Sequence, residues 1–80
     1  MKAKLVCFRS YTSKKTGELM HRCQFLVKDE KWDGGETVRE MSVSSSMFPS
    51  PVRNTVYECT MHLCSWDGKY WWNLDSIVIS

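Results

Sequence analysis

The fold is decided by residues 55–79, TVYECTMHLCSWDGKYWWNLDSIVI. From Thr55 to Ser65 the side chains alternate, with Tyr57, Cys59, Met61 and Leu63 on one side and Glu58, Thr60, His62 and Cys64 on the other. A period of two marks a strand with one buried face, because successive side chains of an extended chain point to opposite sides. The segment WDGKY (66–70) then sets Asp-Gly between two aromatic-flanked runs. Asp-Gly tolerates the positive φ angles of a tight two-residue hairpin, so the chain is predicted to reverse there and return as a last strand over 71–79. If that strand alternates, Trp72 points inward in phase with Leu74 and Val78, and Trp71 points outward.

The preceding residues carry the same kind of signal. Residues 2–9 alternate, Ala3, Leu5 and Cys7 against Lys2, Lys4, Val6 and Phe8. A basic, hydroxyl-rich loop follows within RSYTSKKTGEL (9–19), its turn SKKTGE containing Gly17. Leu19–Lys28 reads as a second strand with Cys23, Phe25 and Val27 inward and Arg22, Gln24, Leu26 and Lys28 outward. DEKWDGGE (29–36) is a turn by composition. Thr37–Val43 is a third strand, Arg39 and Met41 on one side, Val38 and Glu40 on the other. SSSMFPSPVRN (44–54) is too broken by Pro49 and Pro51 to be a helix interior, and its Met47, Phe48 and Val52 are apolar groups that a partner could cover.

Five strands in 80 residues must pair or hide their edges, which a small antiparallel barrel achieves. The expected fold is all-β, a single OB-fold-like five-stranded barrel spanning 1–80. Its ligand face is then strands 2 and 3 with the loops joining strands 1–2 and 4–5, here SKKTGE and WDGKY.

Cys7, Cys23, Cys59 and Cys64 show no CxxC pair or zinc-knuckle spacing. MKAKLVCF has no apolar run long enough for a secretory leader, and no stretch approaches the roughly 20 apolar residues of a membrane span. Reduced thiols, a cytoplasmic setting and no membrane or small-molecule substrate are the expectation. Net charge is only +2 but unevenly spread. Residues 1–28 hold seven Lys/Arg against the single acid Glu18, whereas 29–80 hold four against eight acids. That asymmetry points to a basic surface on the first two strands.

A basic groove with aromatic platforms suits a nucleic-acid single strand, cations meeting phosphates and rings stacking on bases. Arg9, Lys14, Lys15, Arg22, Arg39 and Lys69 are the candidate phosphate partners. Tyr11, Trp32, Trp66, Tyr70 and Trp71 are the candidate stackers. Each has a plainer reading: Lys14 and Lys15 as solvated turn residues, Trp32 as a core cap, Tyr57 and Trp72 as core. His21-x-Cys23 and His62-x-Cys64 each place two soft ligands on one face of a strand, yet Cys23 reads as core and no metal or other cofactor is expected. A Cys–His nucleophile needs a third, orienting group, and no motif supplies one, so no enzyme is expected.

In the order of its features the chain resembles the single-stranded DNA-binding proteins of filamentous bacteriophages and related small phage replication proteins. The resemblance lies in RSYTSKKTGELMHRCQFLV, the Pro-containing connection before TVYECTMHLCSW, and the closing KYWWNLDSIVIS. It implies an OB-like barrel that dimerises and coats single-stranded DNA during replication in the host bacterial cytoplasm. It also implies that Arg9 and the Lys14/Lys15 turn contact DNA, with Arg22 close by. The cluster Trp66, Tyr70, Trp71 and Trp72 is denser than the family pattern. The alternative readings are a protein-interaction module, including a phage inhibitor of a host protein, and an RNA-binding barrel.

Overall fold

The computed structural model describes residues 1–28 and 35–79, and they form five antiparallel strands. These are β1 (Lys2–Thr12), β2 (Leu19–Lys28), β3 (Glu36–Ser44), β4 (Val56–Trp66) and β5 (Lys69–Ile79). They hydrogen-bond in the order β3-β2-β1-β4-β5. The sheet curls until β3 and β5 face each other, giving the OB-like barrel expected of five alternating runs. Side chains span that seam: the Arg39 guanidinium of β3 lies 3.8 Å from the ring centre of Trp72 on β5. No helix among the described residues is long and apolar enough to cross a membrane.

The core is what period two requires. Ala3, Leu5, Cys23, Phe25, Val27, Met41, Val43, Tyr57, Cys59 and Leu74 are buried together. Two bulges reset the alternation. Leu5 pairs with Phe25 but Cys7 with Gln24, leaving Val6 as the extra residue of β1. From there the phase inverts, so Phe8 packs against the core and Cys7 turns outward, opposite to the simple alternation of residues 2–9. On β5 the extra residue is Asp75, between Leu74 opposite Met61 and Ser76 opposite Thr60. Beyond it Ile77 packs on the core and Val78 is exposed, so Val78 is not in phase with Leu74 and Trp72.

The connection after β3 also departs from expectation. Phe48 is not presented to a partner. It is 4% exposed and closes one end of the barrel, edge-on to Tyr57 with ring centres 5.0 Å apart. The Phe48 N–H donates to the Ser44 carbonyl (3.0 Å), a tight turn that folds the ring back under the sheet. Met47 and Val52 remain exposed.

At the other end the β4–β5 hairpin runs past the barrel. Glu58 pairs with Lys2 at the start of β1, so the residues after Thr60 continue beyond β1. Leu63, in phase with the core, is therefore exposed. The molecule measures 42 × 33 × 18 Å, and its radius of gyration, 13.0 Å, exceeds the roughly 12 Å of a compact chain this long. The tip is a two-residue turn with Asp67 at φ 49° and Gly68 at φ 74°, the doubly positive geometry that Asp-Gly favours.

Candidate nucleic-acid interface

Register assigns the exterior of β1, β2 and β3 row by row. Tyr11, Met20 and Ser44 form one row; Arg9, Arg22 and Ser42 the next; Cys7, Gln24 and Glu40 a third; Lys4, Leu26 and Val38 a fourth. The Val6 bulge makes this possible, because it turns Arg9 and Tyr11 to the same side as Arg22. Both residues lie on β1, which runs three residues further than the alternation of 2–9 indicated. The loop itself is only Ser13–Glu18.

Arg9 and Arg22 sit directly opposite each other, an arrangement that like charges disfavour by themselves. Arg22 is partly compensated. Its Nη2 donates to Glu40 Oε2 (2.9 Å) and its Nη1 to Ser42 Oγ (3.1 Å). Gln24 Nε2 donates to the other Glu40 oxygen (3.1 Å). These hydrogen bonds, Arg22's first and Gln24's second, hold the Glu40 carboxyl below its usual range. No ion pair among the described residues involves Arg9.

Tyr11 completes the platform. Its hydroxyl donates to Ser42 Oγ (2.9 Å), two strands away on β3. Strands lie about 4.8 Å apart, so the phenol ring must lie across β2 to make this bond. The ring thus spans the exterior beside Arg22, tied to the same serine the guanidinium uses.

The β1–β2 loop closes on itself, Ser13 N–H donating to the Glu18 carbonyl and Gly17 N–H to that of Ser13, both 2.8 Å. Gly17 takes φ 72°, which a side chain would strain. Glu18, the lone acid of the first 28 residues, is turned toward Ser44 and Ser46, which donate to its carboxylate. Lys14 and Lys15 are exposed and, among the described residues, in no ion pair.

The other predicted residues fall in three places. Trp66, Lys69, Tyr70 and Trp71 lie on the protruding hairpin, Trp66 77%, Tyr70 70% and Trp71 46% exposed. Trp66, Lys69 and Trp71 share its outer side, and Tyr70 the other side with Trp72. The hairpin and the β1–β2 loop stand at opposite ends of the strands, since β4 leaves the barrel where β1 begins and the loop follows where β1 ends. Arg39 faces the barrel seam, paired with buried Phe25 and stacked on Trp72, away from Arg9 and Arg22. Trp32 lies outside the described residues.

Three cations of this face are absent from the sequence-based candidates. Lys4 shares the exterior with Leu26 in the fourth row, Lys2 is in phase with it on β1, and Lys28 is in phase with Leu26 on β2, opposite Glu36; the alternation of each strand places them there. The His/Cys pairs do not meet: His21 and Cys23 face the core from β2, whereas His62 and Cys64 lie outside on β4. No described group of three His, Cys, Asp or Glu residues has metal-site geometry.

No known protein family, curated protein or solved structure matches the chain.

Proposed function

We propose that this protein binds single-stranded DNA without sequence preference, as a homodimer that coats strands during phage DNA replication in the cytoplasm of a host bacterium. The observation that carries the reading is the Tyr11 ring, pinned across β2 beside two directly opposed arginines. Opposed guanidiniums repel, and a phosphate between them relieves that repulsion; a flat ring next to them gives a base a surface to stack on. Lys14 and Lys15 extend the positive field beyond Tyr11, and Lys4 extends it at the opposite end of the face. Trp66, Tyr70 and Trp71 offer further rings, each worth roughly 1–3 kcal/mol if a base stacks on it.

The dimer is supported by an apolar groove on another part of the surface, formed by Met47, Pro49, Val52, Ile77, Val78 and Ile79. Exposed apolar side chains gathered in this way are usual where two copies meet. Sedimentation at tens of micromolar should give a dimer; a monomer would remove this part of the proposal.

The binding test is a tryptophan-fluorescence titration with oligo-dT at two salt concentrations, with duplex DNA and RNA as parallel arms. Stacking of bases on Trp66 or Trp71 predicts quenching, and phosphate contacts at Arg9, Lys14, Lys15 and Arg22 predict a log K against log[salt] slope of about −3, from roughly −0.7 per contact on single strands. Absence of quenching and of salt-dependent binding at low salt would overturn the reading. Tighter binding to RNA would transfer it to that polymer.

A further inference from the structure

His62, Cys64 and Asp75 form a hydrogen-bonded relay on the exterior of the β4–β5 hairpin, outside the proposed nucleic-acid face of β1–β3. His62 and Cys64 are two residues apart on β4 and project to the same side. Asp75, the bulge residue of β5, is aimed at them from the neighbouring strand. Cys64 Sγ lies 3.1 Å from His62 Nε2, and His62 Nδ1 lies 2.8 Å from Asp75 Oδ2. Asn73 Nδ2 donates to the other Asp75 oxygen (3.3 Å), steadying the carboxylate.

These contacts select the imidazole tautomer. An ionised carboxylate only accepts, so Nδ1 carries the hydrogen and donates it to Asp75. Nε2 is left with a lone pair pointing at the thiol, where it can take the Sγ proton. This is the thiol–base–orienter order of an activated nucleophile, assembled from residues 13 positions apart by the hairpin register and the bulge.

The other three cysteines lack it. Cys7, also partly exposed, donates its thiol to the amide oxygen of Gln24 (3.1 Å), which is no base. Cys23 and Cys59 are buried, and burial is the largest cause that pushes each thiol up to about 11.

We propose that Cys64 is a thiol–disulfide exchange site for low-molecular-weight disulfides of the glutathione type, with His62 as proton acceptor and Asp75 as the residue that positions it. The Sγ proton passes to Nε2, and the thiolate attacks one sulfur of the disulfide. A new S–S bond forms to Cys64 as the old one breaks, and the departing thiolate recovers the proton from the imidazolium. Cys64 is thereby oxidised to a mixed disulfide while half of the reagent is reduced to a free thiol, with no further oxidant. The proposal does not depend on nucleic-acid binding. Cys64 faces Trp71 directly across the hairpin, so the adduct would sit beside that ring.

The test is partial reaction of the reduced, folded protein with 5,5′-dithiobis(2-nitrobenzoate), followed by peptide mass mapping of all four thiols, and then the same with glutathione disulfide. Cys64 should react on the order of tenfold faster than Cys7. His62→Gln should remove about that advantage, and Asp75→Asn part of it, while the Cys7 rate in the same molecules stays constant. The constant Cys7 rate separates loss of the relay from loss of the fold. If Cys64 reacts no faster than Cys7, or if neither substitution slows it selectively, the proposal is wrong.

Discussion

Replacing Glu40 by glutamine perturbs the proposed interface in a direction that distinguishes this account from a generic loss of surface charge. Arg22 shares its positive charge with Glu40 across a 2.9 Å contact, so the rows of Arg9, Arg22, Gln24 and Glu40 carry a net charge of one rather than two. Glutamine keeps an acceptor for Arg22 and removes the negative charge. A phosphate at Arg22 would lie about 6 Å from that carboxylate, where two unit charges in water interact by a little more than RT, or about threefold in a binding constant. The E40Q protein should therefore bind oligo-dT about threefold more tightly at low salt, with a salt slope steeper by up to about 0.7. Arg22→Ala should move both quantities the other way. Fluorescence titration of the three proteins at several salt concentrations measures this. Unchanged or weaker binding by E40Q would refute the placement of the strand over Arg22. The carboxylate also leaves a mark on stability. Its folded pKa is depressed, so its contribution is present above the ordinary value of 4.5 and is lost as pH falls through the folded value. Acid unfolding should lose that component in E40Q.

Three further outcomes follow from the fold. Arg39→Met should lower stability by about 0.5–2 kcal/mol through loss of the stack on Trp72, seen in thermal unfolding, and leave the salt slope for DNA unchanged because Arg39 faces the seam. Phe48→Ala should cost about 3–5 kcal/mol in urea unfolding, since the ring closes the barrel end against Tyr57 and Phe25; a cost under about 1 kcal/mol would contradict its place in the core. Burial raises the Cys23 and Cys59 thiols from 9.0 to about 11, so the stability that goes with the neutral thiols is fully present below pH 9 and is lost as pH rises toward 11. Denaturant titrations at pH 8 and pH 10.5 should show the fall, and Cys59→Ala should make it shallower.

How far the fold could be read from the sequence depended on whether the signal was local. The Asp-Gly turn and the alternation of Tyr57, Cys59 and Met61 are short-range patterns, and hairpin and strand lie where those patterns put them. Bulges are not written that way. Val6 and Asp75 each add one residue to a strand without changing its composition, so strict alternation puts Phe8 and Val78 on the wrong face. Phe48 sits in a Ser/Pro-rich segment with no period to phase it, and only its rings of contact mark it as core. The candidate site divides along the same line. Arg22, Lys14 and Lys15 were readable as exposed cations from strand phase and turn composition. The pairing of Arg9 with Arg22 and the reach of Tyr11 to Ser42 depend on cross-strand register, and the contact of Arg39 with Trp72, 33 residues away, depends on the curl that brings β3 to β5. The orienting Asp75 of the thiol relay has no motif, since the fold alone brings it to His62.

The central claim is that single-stranded DNA lies on the exterior of β1–β3, and amide chemical-shift mapping of isotope-labelled protein with oligo-dT tests it most directly. The account predicts that the largest shifts gather at Arg9, Tyr11, Lys14, Lys15, Arg22 and Ser42, with a second group at Trp66, Tyr70 and Trp71. Shifts confined to the apolar groove of Met47, Val52 and Ile77–Ile79, with the arginine rows unmoved, would contradict it.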